Sequence, residues 1–351
     1  MINNKLTTTI LLTISTIIIT YSCTSSNNNL DITNIQSIKI NEENIEKIEL
    51  DSLIISKPYN LTFHPNNFLL LRNMQKGGFI TVIDLTTNQH KQIADIGRAA
   101  NEILSVRDIF FHNDTIWVYS TTDNKILTLN LNVTNREFYI SNTYLLEANN
   151  HLRMYPYKNN SFIALAMKNS TSHRISITNN QGKIIDGFGD FYDFPYIKSP
   201  NNADIQSCIT VSPNMKNIAI ANISIDYIDI YGDDMKLKHR LRGDLVPDKV
   251  RIEKVTRGEF STYGQVPMYE VFSNITSSND AFWLGYIGSE STRENIERRN
   301  IQKIIKFNWN GEIEKVYDLP LPIKSFTVDS KSHKIYAIIE ALEPYLVSIK
   351  I

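Results

Sequence analysis

Short runs of alternating or continuous apolar residues recur along the chain from about residue 36, and Asn, Asp, Gly or Ser bound each run. A period of two between turn residues predicts β-strands. No long stretch with the 3.6-residue period of a helix follows the N-terminal segment. The runs fall into six groups. The third, for example, contains Phe162–Met167, Arg174–Thr178 and Lys183–Phe188, with a hairpin turn over Asn179–Gly182.

The size of the groups indicates how they are arranged. Residues 36–351 divided among six groups give about 53 residues each, and insertions at 244–267 and 288–300 account for much of this length. A small antiparallel sheet buries neither of its faces alone, whereas radial stacking of such sheets buries both. We therefore predict an all-β fold, a six-bladed β-propeller. A β-sandwich or two smaller β-domains fit the same pattern and remain alternatives.

The two ends of this region predict how the ring closes. The last group ends after three strands, at Ile351, and an alternating segment over residues 45–50 precedes the first full group. We expect this N-terminal strand to join the last blade as its fourth strand.

The first 22 residues are predicted to be a signal peptide. One basic residue, Lys5, precedes an apolar, Thr-rich stretch over residues 6–20, which is shorter than the ~20 residues of a membrane span. Thr20-Tyr21-Ser22-Cys23 then resembles a bacterial lipoprotein cleavage site, with lipid on Cys23. An ordinary secretory peptide with an incidental cysteine is the alternative. The expected organisation is signal peptide 1–22, flexible lipid-anchored tether 23–35 and propeller 36–351.

Composition narrows the possible partners. Lys and Arg number 36 against 37 Asp and Glu, so no global charge attracts nucleic acid, and none is expected as a partner. Only two cysteines are present, which excludes a disulfide framework and a cysteine-built zinc site. The 51 Ile and 38 Asn residues favour strands joined by tight turns.

Several motifs resemble the TolB-like six-bladed propeller lipoproteins of Bacteroidota. Residues 97–104, GRAANEIL, resemble that family's G-x-G-P-N-E-hydrophobic signature, with Ala99 and Ala100 in place of Gly and Pro. Residues 212–216, SPNMK, resemble its S-P-D-G-K turn, and residues 307–337 resemble its last two blades. The resemblance implies a six-bladed fold and an envelope location. It implies little about the ligand or the reaction.

The polar residues of the first motif form one candidate site. Arg98, Asn101 and Glu102 lie close together at a predicted blade junction. In the functional interpretation, Arg98 and Glu102 present a charged fork to a ligand. In the structural interpretation, which we favour, they form an inter-blade clamp in which Arg98 pairs with Glu102 and Asn101 holds a turn.

The densest aromatic stretch forms a second candidate site. Tyr192, Phe194 and Tyr196 follow the third group, and aromatic residues in a loop at a propeller mouth stack on sugar rings or peptide side chains. Packing into a gap between blades is the alternative. We expect a partner that is an envelope protein or a glycan.

The sequence contains few signs of catalysis. None of the seven histidines is paired at i, i+2 or i, i+4, so no metal site and no cofactor is expected, and no catalytic residue is assigned. The residues favour a membrane-anchored binding or scaffolding propeller over an enzyme. We expect it in the cell envelope, at the outer membrane and facing the periplasm, with surface exposure as the alternative. A metal-dependent hydrolase or lactonase remains the alternative function, with channel ligands drawn from Asp108, Asp229, Asp280 and Asp329.

Overall fold

A computed structural model describes residues 27–30, 32, 35–56, 58–75, 77–147, 151–166, 173–191, 206–243, 245, 251–257, 260–291 and 300–351. Its elements are strands apart from two single-turn 3₁₀ helices, Glu42–Asn44 and Lys158–Asn160. Among these residues no helix has the length and apolar character needed to cross a membrane.

Three short strands come first along the described chain: β1 (Asn27–Asn29), β2 (Ile38–Lys39) and β3 (Ile45–Lys47). Four antiparallel sheets of consecutive strands follow, which we call blades 1 to 4. Blade 1 contains β4 (Tyr59–His64), β5 (Phe68–Gln75), β6 (Gly78–Asp84) and β7 (Gln89–Ile93). Blade 2 contains β8 (Asp108–His112), β9 (Thr115–Ser120), β10 (Lys125–Asn132) and β11 (Glu137–Leu145). Blade 3 contains β12 (His151–Tyr157), β13 (Ser161–Ala166), β14 (Ile175–Thr178) and β15 (Ile184–Phe188). Blade 4 contains β16 (Ser207–Val211), β17 (Asn217–Asn222), β18 (Tyr227–Gly232) and β19 (Leu237–Arg242).

A separate hairpin follows blade 4 in the first predicted insertion. It consists of β20 (Arg251–Arg257) and β21 (Phe260–Val266), which pair only with each other in the described sheets.

Blades 5 and 6 share one long strand. The remaining strands are β22 (Tyr269–Ser277), β23 (Ala281–Glu290), β24 (Ile301–Asn308), β25 (Ile313–Asp329), β26 (Lys334–Ile339) and β27 (Tyr345–Lys350). The first part of β25 pairs with β24 as the outer strand of blade 5. Its second part pairs with β26 as the inner strand of blade 6. The seven strands from β22 through β27 to β3 therefore form two four-stranded blades that share β25, and the propeller has six blades. The eighth strand of this sheet is β2, which pairs with β25 off the main path.

The predicted closure is confirmed. Strand β3 pairs antiparallel with β27, with Ile45 opposite Ile349 and Lys47 opposite Val347. The Ile48 N–H continues this ladder by donating to the Leu346 carbonyl at 2.9 Å. The N-terminal segment thus supplies the fourth strand of blade 6, and backbone hydrogen bonds close the ring.

The residues before β3 follow the outer edges of two further blades. Strand β1 pairs in parallel with β19 of blade 4, and β2 pairs in parallel with β25 in blade 5. Leu30 and Ile32 are buried in the core between blades 4 and 5. Part of the range predicted as a tether is therefore placed along blade 4, while the domain boundaries themselves stay predictions.

Apolar side chains fill the spaces between blades. One cluster joins Leu70 and Ile80 of blade 1 to Ile116 and Leu127 of blade 2, and equivalent clusters lie at the other junctions. Each blade buries both faces in this way, which is the physical reason for radial stacking.

Three inner strands, β4, β12 and β22, escaped the sequence analysis, two of them because a bulge breaks their alternation. Asn60 in β4 and Asn274 in β22 have positive φ angles of 52° and 56°, and both strands carry register shifts at these residues. Such bulges displace the period-two pattern by one residue, so the strands lack the regular signature.

Candidate functional site

The inner strands of all six blades surround a central channel with a cavity of about 710 Å³. Its wall carries aromatic, hydroxyl, amide and charged side chains. The residues that line the channel include Phe110, Tyr155, Thr210, Asn274, Asp108 and Arg153.

Most polar groups on this wall join one blade to the next. Side chains form a link at each of the six junctions between inner strands. In order from blade 1, the links are Thr62 Oγ1 to the Ile109 carbonyl, Arg153 to Asp108, Tyr155 to Thr210, Thr210 to Ser277, Asn274 Nδ2 to the Phe326 carbonyl, and the Leu61 N–H to Ser325 Oγ. These hydrogen bonds hold the wall rigid without a disulfide.

The link between blades 2 and 3 is an ion pair with unused capacity. Arg153 Nη1 donates to Asp108 Oδ1. Asp108 is 2% exposed, and its second oxygen, Oδ2, has no hydrogen-bond partner among the described residues. The Tyr59 hydroxyl and the Cys208 thiol lie beside the guanidinium of Arg153. Four blades thus bring one titratable side chain each to this part of the channel.

Burial governs the ionisation of this cluster. It raises the pKa of Asp108, and the nearby Arg153 and Arg107 guanidiniums oppose that shift without cancelling it. Burial acts to lower the pKa of Arg153, but Asp108, Cys208 and Tyr59 outweigh burial and the net shift is upward. Burial also raises the pKa of the Cys208 thiol. Arg153 therefore keeps its charge, and Cys208 stays a thiol at neutral pH.

The GRAANEIL loop, residues 97–104, joins blade 1 to blade 2. Glu102 Oε2 accepts the Ala99 N–H at 2.9 Å, and the Glu102 N–H donates to the Ala99 carbonyl at 3.1 Å. Asn101 Oδ1 accepts the Thr143 hydroxyl at 3.3 Å on blade 2. Arg98 is exposed and forms no ion pair with Glu102, so the expected Arg–Glu pairing is wrong: Glu102 turns back onto the loop backbone.

A lysine that sequence reasoning missed holds this loop. Lys125 Nζ donates to the carbonyls of Arg98, Ala99 and Glu102 at 3.2, 2.7 and 3.0 Å. The Glu102 carboxylate packs against Gly97, in the space that a Cβ at residue 97 would occupy. An open hollow of about 520 Å³ lies beside the loop and includes Asn101 and Glu102 in its wall. A ligand contact for these residues stays a prediction.

The predicted lipidation and the predicted aromatic mouth both concern residues outside the part of the chain that the structure describes. Cys23 lies outside the described residues, as do Tyr192, Phe194 and Tyr196. Lipidation and the aromatic mouth therefore stay predictions.

The four aspartates considered as metal ligands occupy different places. Asp108 is on an inner strand, whereas Asp229 is on the third strand of blade 4, between Arg174 and Arg240. Asp280 precedes β23, and Asp329 caps a turn by accepting the Lys331 N–H at 3.1 Å. Within the described ranges no group of three His, Cys, Asp or Glu side chains could hold a metal ion. Asp108, Asp280 and Asp329 all line the channel and Asp229 does not, but no three of the four come together as such a group.

Sequence reasoning named Asp108 as a possible channel ligand of a hydrolase but did not single out Arg153 or the pairing of the two. The signal was present but weak: charged Asp108 and Arg153 stand at the starts of otherwise apolar or aromatic strands, two residues before Phe110 and Tyr155. Only the fold shows that these strands are neighbours.

Comparison with known proteins agrees with this architecture. The profile of the TolB-like 6-blade propeller-like family matches residues 38–331, and the chain belongs to that family. No curated protein matches the sequence.

Solved structures share the fold. A putative exported protein from Bacteroides fragilis is 12% identical, with a TM-score of 0.54 over 92% of this chain and 98% of that one. A member of the DUF4221 family from Bacteroides vulgatus is 11% identical, with a TM-score of 0.54 over 87% of this chain and 95% of that one. At these identities the likeness establishes the fold alone.

Proposed function

We propose that this protein is an exported, non-catalytic binding propeller of the cell envelope, which holds a glycan or protein partner in or over its central channel. One observation carries the proposal: a preformed cavity of about 710 Å³, with a rigid wall that combines aromatic surface with a few polar groups. This combination is typical of ligand sites. Separation of the four aspartates favours binding over the metal-dependent hydrolase considered from the sequence.

A capture experiment tests this proposal. Protein carrying Cys23→Ser is incubated with an envelope extract of its host, and bound proteins and saccharides are identified by mass spectrometry. Thr276 lines the channel and its side chain has no hydrogen bond to a described residue, so Thr276→Trp fills the cavity with little damage to the wall. Thr134→Trp, on an exposed turn of blade 2, is the matched control.

We expect capture by the parent protein and Thr134→Trp and loss of capture with Thr276→Trp. Capture that survives Thr276→Trp, or none above background, contradicts a channel site. Turnover of a bound saccharide or ester would instead support the hydrolase.

We also propose that a lipid on Cys23 anchors the propeller to the outer membrane, facing the periplasm. The support is the cysteine after a secretory-type apolar segment and the exported Bacteroides protein of the same fold. Metabolic labelling with a palmitate analogue tests it. Labelled protein in the outer-membrane fraction is expected, and Cys23→Ser should be unlabelled; equal labelling of both forms contradicts the anchor.

A further inference from the structure

We infer that the channel takes an uncharged saccharide, which packs against Phe110 and is hydrogen-bonded at the Asp108–Arg153 pair. This inference rests on the proposed binding function and names the ligand class. Its three supports are the register of two inner strands, the unused polar atoms of the ion pair and the charge balance of the wall.

The first support is the order of residues along the strands. Asp108 and Phe110 are two residues apart on β8, so their side chains point to the same face, as do those of Arg153 and Tyr155 on β12. All four line the channel, and the rings of Phe110 and Tyr155 lie 4.5 Å apart between centroids. A polar layer and an aromatic layer therefore lie ~7 Å apart along the wall.

The second support is the hydrogen-bonding capacity of the polar layer. Arg153 hydrogen-bonds to Asp108 and to the Tyr59 hydroxyl, and its guanidinium has five N–H donors, so further donors remain. Asp108 Oδ2 is a buried acceptor without a partner among the described residues. The pair thus offers a donor next to an acceptor. Hydroxyl groups on neighbouring sugar carbons both donate and accept, so they match this edge, and the apolar face of a sugar ring matches Phe110.

The third support is the charge balance of the wall together with the carboxylates that pair with it. Five cationic side chains line the channel against three carboxylates, and Glu314 and Glu340, which do not line it, supply the other two negative charges. Arg153 is compensated by Asp108, and Lys306 and Lys324 pair with Glu314 and Glu340 at 2.7 and 3.5 Å. Lys315 and Lys331 are balanced in number by Asp280 and Asp329. A charged ligand would leave its charge without a counter-charge beside the buried pair, which is costly. An uncharged polar ligand avoids that cost.

Calorimetric titration of the Cys23→Ser protein tests the inference. The probes are lactose, cellobiose and N,N′-diacetylchitobiose as neutral saccharides, with cellobiouronic acid as the acidic counterpart of cellobiose. We expect at least one neutral saccharide to bind, and cellobiouronic acid to bind at least tenfold more weakly than cellobiose where cellobiose binds. Equal binding of acid and neutral sugar, or no binding of any neutral probe, overturns the inference.

Variants locate the site. Asp108→Asn leaves the Arg153 charge uncompensated, so the preference should reverse towards the acid, with neutral binding reduced at least tenfold. Phe110→Leu keeps the ion pair and should weaken all saccharides without reversing the preference. Asp84→Asn is the matched control, because Asp84 pairs with Arg136 outside the channel at 2.7 Å; an equal effect of this variant overturns the assigned site.

The two proposals fail separately. If the capture experiment finds a protein that Thr276→Trp releases while no saccharide binds, the saccharide inference is wrong and the binding function stands. If saccharide is bound and then cleaved, the ligand class stands and the non-catalytic function is wrong.

Discussion

Two buried aspartates of this propeller, Asp229 and Asp108, face arginines from a neighbouring strand or blade, and they differ in what they leave free. Asp229 is fully buried; its Oδ1 accepts Arg240 Nε at 2.7 Å, and its Oδ2 accepts Arg240 Nη2 at 3.0 Å as well as Arg174. Asp108 accepts only one N–H, from Arg153, and its Oδ2 has no partner in the described structure.

The difference shows how one chemical pairing serves two purposes. At Asp229 two guanidiniums and the Tyr231 hydroxyl at 3.3 Å satisfy both carboxylate oxygens, and the cluster joins blade 3 to blade 4. The Asp108–Arg153 pair borders the channel, and Asp108 Oδ2 can still accept a hydrogen bond from a ligand. An unsatisfied buried carboxylate oxygen is costly to retain, which makes a ligand role the simplest explanation.

The largest expected effect comes from breaking the satisfied cluster. Asp229→Asn removes the buried carboxylate that Arg174 and Arg240 share and should lower the free energy of unfolding by about 3–5 kcal/mol. Urea unfolding followed by circular dichroism measures it. Asp84 is buried, but its bidentate partner Arg136 reaches solvent, so Asp84→Asn should cost less, about 1–2 kcal/mol. Similar losses for the two variants would contradict the contrast between a sealed pair and one that reaches solvent.

Asp108→Asn should cost less than Asp229→Asn. Arg153 borders the channel and water there can solvate its charge, so we expect a loss of about 1–3 kcal/mol in the same urea experiment. A loss as large as that of Asp229→Asn would show that the channel pair is as enclosed as the inter-blade cluster, and the ligand role would lose its basis.

His64, whose ionisation is governed by burial more than by the charge of Asp114, provides a comparison for both aspartates. His64 lies among the rings of Phe68, Phe111 and Phe138, and burial lowers its pKa from 6.5 to about 4. The unfolded chain therefore binds a proton first, and the free energy of unfolding falls as the pH falls from about 6.5 to 4.

His64→Asn removes this titration and retains an acceptor for the Asn66 N–H. The stability difference between pH 7 and pH 5.5 should shrink by about 1 kcal/mol, measured by urea unfolding at both values. An unchanged difference would mean that His64 is solvated.

The smallest expected effect is a change in melting temperature that shows whether a small anion can reach each of the two aspartate sites. Formate is small enough to enter the channel and pair with the remaining N–H donors of Arg153 in Asp108→Asn, so added formate should raise the melting temperature of that variant, by the equivalent of less than about 1 kcal/mol. Asp229→Asn should gain nothing beyond the parent protein, because its site is sealed. Chloride at equal ionic strength is the control, and equal rescue of both variants would contradict the difference in access.

The sequence was sufficient to predict the ring and its closure, because both depend on local patterns. Alternation over residues 45–50 and the three-stranded last group placed the clasp correctly. Strands such as β4 and β22 were missed because bulges at Asn60 and Asn274 disrupt the period, and these are inner strands that form the channel wall.

The pairing of Asp108 with Arg153 could not be predicted from the sequence, for a different reason. Asp108 and Arg153 are 45 residues apart, and only the stacking of blades 2 and 3 joins them. Lys125 likewise reaches the GRAANEIL loop across more than 20 residues of chain. Glu102 was recognised as important from its motif, but its partner is the loop backbone, which no residue pattern indicated.

A crystal structure grown with the neutral saccharide that binds best tests the central claim most directly. The account predicts a sugar ring against Phe110, with hydroxyl oxygens within hydrogen-bonding distance of Asp108 Oδ2 and the Arg153 guanidinium. A sugar bound elsewhere on the propeller, with the Asp108–Arg153 pair facing only water, would contradict it.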